Sequence, residues 1–155
     1  MQDRFKFRYI FRKDFGGKTG ICYKMPIFDL NEVTSDNFIK VINGYNDYDY
    51  KLVSIKQCTG LKDKYGKLIY EGDILDLYIS TKKLYRYQVK FEIGSFMLVS
   101  QDEIFDFPNK WNDNVYPLSQ LYFEYQNVEN SIWECEIIGN IYETPELVKE
   151  VEQCQ

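Results

Sequence analysis

TGLKDKYGKLIYEGDIL, running from Thr59 to Leu75, sets two glycine-punctuated turns and two short apolar strands in close succession. Asp63-Lys64-Tyr65-Gly66 carries Asp at the first and Gly at the fourth position, which suits a type I turn followed by a left-handed glycine. Lys67 to Tyr70 then returns as a short strand. Glu71-Gly72 makes a second corner before a strand over Ile74 to Ile79, with Gly72 in a backbone conformation costly to any residue bearing a Cβ.

Upstream, Leu52 to Cys58 leads into this stretch as a strand. Downstream, Leu84 to Phe91 alternates, with Leu84, Arg86, Gln88 and Lys90 on one parity and Tyr85, Tyr87, Val89 and Phe91 on the other. Ile93-Gly94-Ser95 turns it into Phe96 to Val99, giving a hairpin. Gln101 to Asn114, with Pro108 and Trp111, reads as a long irregular loop. Pro117 to Tyr125 fits either a strand or a helix with a stripe of Leu118, Leu121, Tyr122 and Tyr125. Ile132 to Tyr142 is a strand interrupted at Gly139-Asn140. Thr144-Pro145-Glu146 supplies an N-cap, an N1 proline and an early acid for a short helix through Val151.

At the other end, Phe5, Phe7, Tyr9 and Phe11 alternate with Arg4, Lys6 and Arg8, which predicts a half-buried strand, aromatic side inward and basic side outward. Ile21 to Leu30 is a second strand placed at an edge, or interrupted, by Pro26. Ser35 or Asp36 caps a short helix carrying Phe38, Val41 and Ile42, with Gly44 just past its end. The polar NDYDY that follows marks a loop between an N-terminal portion, 1–47, and a core, 48–155, of one domain. The fold class is mainly β (α+β): a strongly bent sheet or open pseudo-barrel with one to three short helices. The absence of alanine and the wealth of Tyr, Phe and Ile point the same way.

Composition excludes several chemistries. There is no histidine, so His-based triads, His general bases and mixed Cys/His zinc sites are ruled out. Cys22, Cys58, Cys135 and Cys154 stand far apart with no C-x-x-C pair, so neither a metal nor another cofactor is expected. With no signal-peptide pattern before the first strand and no apolar run of spanning length, the expectation is a cytoplasmic protein with reduced thiols and no membrane contact. A net charge of -5 argues against a broad phosphate-binding surface. The charge is uneven, with a basic head over Met1 to Lys24 and an acidic tail from Glu124 onward. Trp133, Cys135 and Ile137 share one parity, leaving Glu134 and Glu136 on the other. The basic row Arg4, Lys6, Arg8 is expected to oppose Glu134 and Glu136, in one subunit or across a dimer, at about 0.2–1 kcal/mol per pair.

Glu71 and Asp73 flank a glycine corner, and a carboxylate pair can do acid/base work or bind a divalent cation. Turn chemistry explains the same residues: Asp73 caps its own turn and Glu71 is solvated. On that reading there is no catalytic, cofactor or metal residue, and the protein is not an enzyme. A second candidate is an aromatic and basic platform of Tyr65, Tyr85, Tyr87, Lys67, Arg86 and Lys90 on an SH3-like barrel that binds nucleic acid. A third is an aromatic-rich surface that docks a host or phage protein, Tyr and Trp being favoured interface anchors.

Thr59-Gly60-Leu61-Lys62-Asp63, Gly66-Lys67 and Ile69-Tyr70-Glu71-Gly72-Asp73-Ile74 resemble the signature of the YopX family, small proteins of phages and prophages. Arg4-Phe5-Lys6-Phe7-Arg8 is similar to that family's opening strand, although Tyr9-Ile10-Phe11 departs from its usual continuation. Ile137 to Glu143 and Pro145-Glu146-Leu147 resemble its closing segment. The resemblance implies a phage-derived intracellular accessory or regulatory protein with a β-rich pseudo-barrel core that self-associates as a homo-oligomer. It brings no catalytic residues with it.

Overall fold

The computed structural model describes residues 5–17, 20–79, 82–101, 115–125, 132 and 134–148. The chain forms two compact units, Met1–Gly60 and Leu61–Gln155. As the alternation predicts, it is mainly β, with a strongly curled, half-barrel sheet and two α-helices among the described residues.

In the first unit β1 (Lys6–Asp14) is central. On one side it pairs antiparallel with β4 (Lys51–Lys62); on the other it pairs with β2 (Ile21–Lys24) and β3 (Ile27–Asp29). Pro26 accounts for the break between β2 and β3. It cannot donate to the ladder, and its carbonyl instead accepts the Tyr9 N–H at 2.9 Å. Helix α1 (Asp36–Asp47) starts where the sequence places it, with Ser35 Oγ accepting the Phe38 N–H at 3.2 Å. It does not stop at Gly44. Tyr45 stacks on Phe11 at 4.5 Å, and an aromatic contact worth about 0.5–1.5 kcal/mol offsets the roughly 1 kcal/mol that an interior glycine costs. Phe38, Val41 and Ile42 join Tyr45 against Tyr9, Phe11 and Phe28.

The expected two-faced strand fails on both sides. Phe5, just before β1, is 45% exposed, whereas Arg8 is buried, as is Ile10 two residues on. Period-two alternation identifies an apolar face but says nothing of whether the other face is covered.

The second unit contains the end of β4, then β5 (Leu68–Tyr70), β6 (Asp73–Ile79), β7 (Lys82–Glu92), β8 (Ser95–Ser100), β9 (Val115–Pro117), α2 (Leu118–Tyr125) and β10 (Cys135–Asn140). Its five-stranded sheet has the order β10-β6-β7-β8-β9. The predicted β7–β8 hairpin closes on Ile93 and Gly94, both at positive φ (54° and 72°), with Glu92 opposite Ser95. That is a two-residue turn of the I′ kind. Ile69, Leu75, Leu77, Val89, Leu98, Leu118, Leu121 and Ile132 build the core.

The ambiguous segment is helical, since Leu118 and Leu121 both enter that core. Pro117 closes β9 rather than opening the helix. The last strand does not break at Gly139-Asn140; its register shifts between Ile137 and Gly139, and it ends at Asn140. Over the described part of the expected C-terminal helix the chain makes a 3-10 turn, Pro145–Leu147. Thr144 does not cap it, because its hydroxyl is turned to the Asn140 carbonyl at 3.0 Å. The loop expected over Gln101–Asn114 lies outside the described residues after Gln101, as do Arg4, Trp133, Cys154 and the end of the final helix, through Val151.

Candidate functional site

The corner over Thr59–Leu75 is assembled by its own carboxylates. Asp63 is 1% exposed. Its Oδ1 accepts the N–H groups of Tyr65 and Lys67, each at 2.9 Å, and its Oδ2 accepts that of Ile137 at 3.2 Å. The Gly66 N–H donates to the Asp63 carbonyl at 2.9 Å, and Gly66 sits at φ 79°, the predicted turn. Lys64 N–H donates to the Cys135 carbonyl (2.8 Å) and Ile132 N–H to that of Lys62 (2.9 Å), so the turn is sewn to the strand that begins at Cys135.

Asp73 does what turn chemistry predicts. Buried, it accepts the Tyr70 N–H at 2.8 Å, while Gly72, at φ 87°, donates to Val89 and accepts from Ile141. Glu71 is half-buried rather than solvated. Asp76, not singled out from the sequence, takes a bidentate pair from Arg86 at 2.8 and 3.0 Å. Only the strand register, which sets Asp76 opposite Arg86, could have revealed it. Among the described residues no three His, Cys, Asp or Glu side chains are grouped to hold a metal ion.

The neighbouring polar side chains are likewise engaged. Lys64 Nζ lies 2.7 Å from Glu136, with the Tyr78 ring at 4.4 Å and the Tyr65 ring at 5.0 Å. The hydrogen bond to Glu136 is the main reason its pKa is raised. Of the two acidic residues expected to face the basic head, Glu136 is paired with Lys64, and its strand β10 pairs with β6. Burial pushes the Cys135 thiol far up, which makes it an inert core group. Of the aromatic and basic platform, Tyr87 is buried and Arg86 is held by Asp76, while Tyr65 and Tyr85 are exposed.

A different arrangement appears in the first unit. Arg12, Lys13, Asp14, Asp49, Lys51 and Val53 line an open groove of about 450 Å³. Lys13 Nζ donates to the Tyr48 carbonyl at 2.7 Å, lies 3.9 Å from Asp49, and sits 5.0 Å from the Phe15 ring and 5.7 Å from the Tyr50 ring. Asp14 is shared between Arg12, at 3.4 Å, and the Gly16 N–H, at 2.9 Å. The Tyr50 hydroxyl donates to Cys22 Sγ at 3.5 Å, and this bond, followed by burial, raises its pKa.

The groove opens onto β4. Ile10 opposes Ser54 and Phe11 opposes Leu52, so Val53 is the extra residue of a bulge. Leu52, Val53 and Ile55 are 43%, 48% and 47% exposed. β4 has twelve residues, whereas β5, its other neighbour, has three and follows directly across the Asp63–Gly66 turn. Among the described residues, therefore, the outer edge of β4 over 51–55 has no neighbouring strand. Sequence reasoning missed this surface, whose parts come from two separate stretches of chain; the only local signal was the apolar run Leu52-Val53-Ser54-Ile55 between lysines.

A family model described as "YopX protein" matches residues 23–149. That span holds the central and closing pieces on which the resemblance rests and leaves Arg4 to Arg8 outside it. No curated protein matches the chain. Among solved structures it is similar to the "Crystal structure of protein EF1440 from Enterococcus faecalis", with 22% identity, 89% of this chain and 75% of that chain covered, and a TM-score of 0.38.

Proposed function

For a chain that belongs to the YopX family, we propose a phage- or prophage-encoded accessory or regulatory role, carried out in the host cytoplasm by protein–protein contacts and self-association rather than by catalysis. The observation behind the protein-contact part of this reading is the exposed apolar row Leu52, Val53, Ile55 on a strand edge with no neighbour among the described residues. Such edges invite pairing with another chain. Covering three half-exposed aliphatic side chains is worth roughly 1 kcal/mol each, about two decades in affinity for the row. The corner, by contrast, spends Asp63 and Asp73 on backbone N–H groups and Asp76 on Arg86. No helix among the described residues is long and apolar enough to cross a membrane.

Co-purification from infected or lysogenic host cells, with solution mass measured alongside, tests this. A stoichiometric protein partner, or a mass above that of one chain, is the expected result. A monomer that recovers nothing, or a substrate turned over by the purified protein, would overturn it.

A further inference from the structure

Building on the protein-contact reading, we infer that the outer edge of β4 accepts an added strand: an extended segment of a partner protein that is acidic at one end and apolar at alternate positions. Strand addition gives affinity through main-chain hydrogen bonds and specificity through alternate side chains. The edge over 51–55, which has no neighbouring strand among the described residues, supplies the first, and Leu52 and Ile55, both exposed, supply apolar contacts for the second. The groove where β4 begins decides the charge of the occupant. Three cationic side chains, Arg12, Lys13 and Lys51, line it against Asp14 and Asp49. Lys13 is held by the Tyr48 carbonyl and Arg12 by Asp14, so among the groove's cations Lys51 is the one placed to meet an incoming carboxylate.

The same charges select against a second copy of the edge. Pairing β4 with β4 antiparallel would bring Lys51 and Lys56 of both copies into a span of six residues, and like charges across a sheet destabilise it. The bulge at Val53 turns that side chain to the groove instead of into the ladder.

Panning a random heptapeptide display library on the full chain, followed by fluorescence anisotropy of the selected peptides, tests the inference. Selected peptides should carry Asp or Glu at one end and β-branched or aromatic residues at alternate positions. Their affinity should fall about tenfold in Lys51→Glu and again in Ile55→Asp, and should weaken with added salt. Enrichment of basic peptides, or selected peptides indifferent to both substitutions, would overturn it. So would a dT12 oligonucleotide that binds the groove more tightly than any selected peptide, or an oligomer mass that changes in either direction with Lys51→Glu, which would make the occupant a second copy. A co-purified protein that binds Lys51→Glu as well as the unaltered chain would sink this edge while leaving the protein-contact reading standing.

Discussion

Replacing Asp63 by Asn separates a structural carboxylate from a functional one. The change is nearly isosteric, so packing is kept while the charge goes and one oxygen becomes an NH2 group. In the native corner one oxygen accepts two backbone N–H groups and the other accepts Ile137 N–H, all in a residue 1% exposed. Asn retains one acceptor, so either the turn or the link to Ile137 must face a donor with a donor. Hydrogen bonds to a charged group are worth about 1.5–3 kcal/mol each, and a buried unsatisfied donor costs about 1–3 kcal/mol. Losing one of the three bonds and converting the other two from charged to neutral therefore costs about 2–4 kcal/mol, a large fraction of the 5–15 kcal/mol typical of a folded protein. For a chain of this length that lowers the melting temperature by roughly 5–15 °C. Urea denaturation followed by far-ultraviolet circular dichroism measures it directly. A midpoint displaced by less than about 0.5 kcal/mol, with partner binding lost, would refute the structural assignment and return the corner to candidacy as a site.

Three further outcomes follow from other parts of the molecule. Ile93→Asn should stabilise the protein by about 1 kcal/mol in the same assay, because a β-branched residue at φ 54° is strained and this one is 80% exposed; a loss of stability would show that Ile93 has a contact not evident here. Arg86→Met should cost about 3–5 kcal/mol by removing the bidentate partner of Asp76, whereas the double change with Asp76→Leu should recover most of it. The Cys135 and Lys64 pKa values are both raised, so the folded state holds protons longer than the unfolded one. Stability should be complete at neutral pH and decline as pH climbs past 9.0, the ordinary thiol value, and Cys135 should resist alkylation until the protein unfolds, as peptide mass spectrometry would show.

Local turn chemistry made the corner legible in advance. Asp63, Gly66, Gly72 and Asp73 each have a backbone reason for their identity that depends only on near neighbours, and Ser35 announced α1 in the same way. What the sequence concealed depends on non-local pairing. Gly44 looks like a helix end until Tyr45 is seen stacked on Phe11, a residue far away in sequence. Arg8 reads as part of an outward basic row, yet it is buried, because periodicity carries no information on what lies over the second face. Glu136 reads as a partner for the basic head, yet Lys64, brought beside β10 by the turn it occupies, pairs with it. The groove joins residues 12–14 to 49–53, and among the described residues the edge of β4 over 51–55 is left open by a three-residue β5. An edge is a property of the sheet order, and no single strand encodes it.

Hydrogen–deuterium exchange of the protein, alone and bound to a selected acidic peptide or a co-purified partner, tests the central claim most directly. The account predicts new protection at the amides of residues 51–55, with the corner over residues 63–76 unchanged because its N–H groups are already bonded within the fold. Protection that appears at the corner and spares the β4 edge would contradict it.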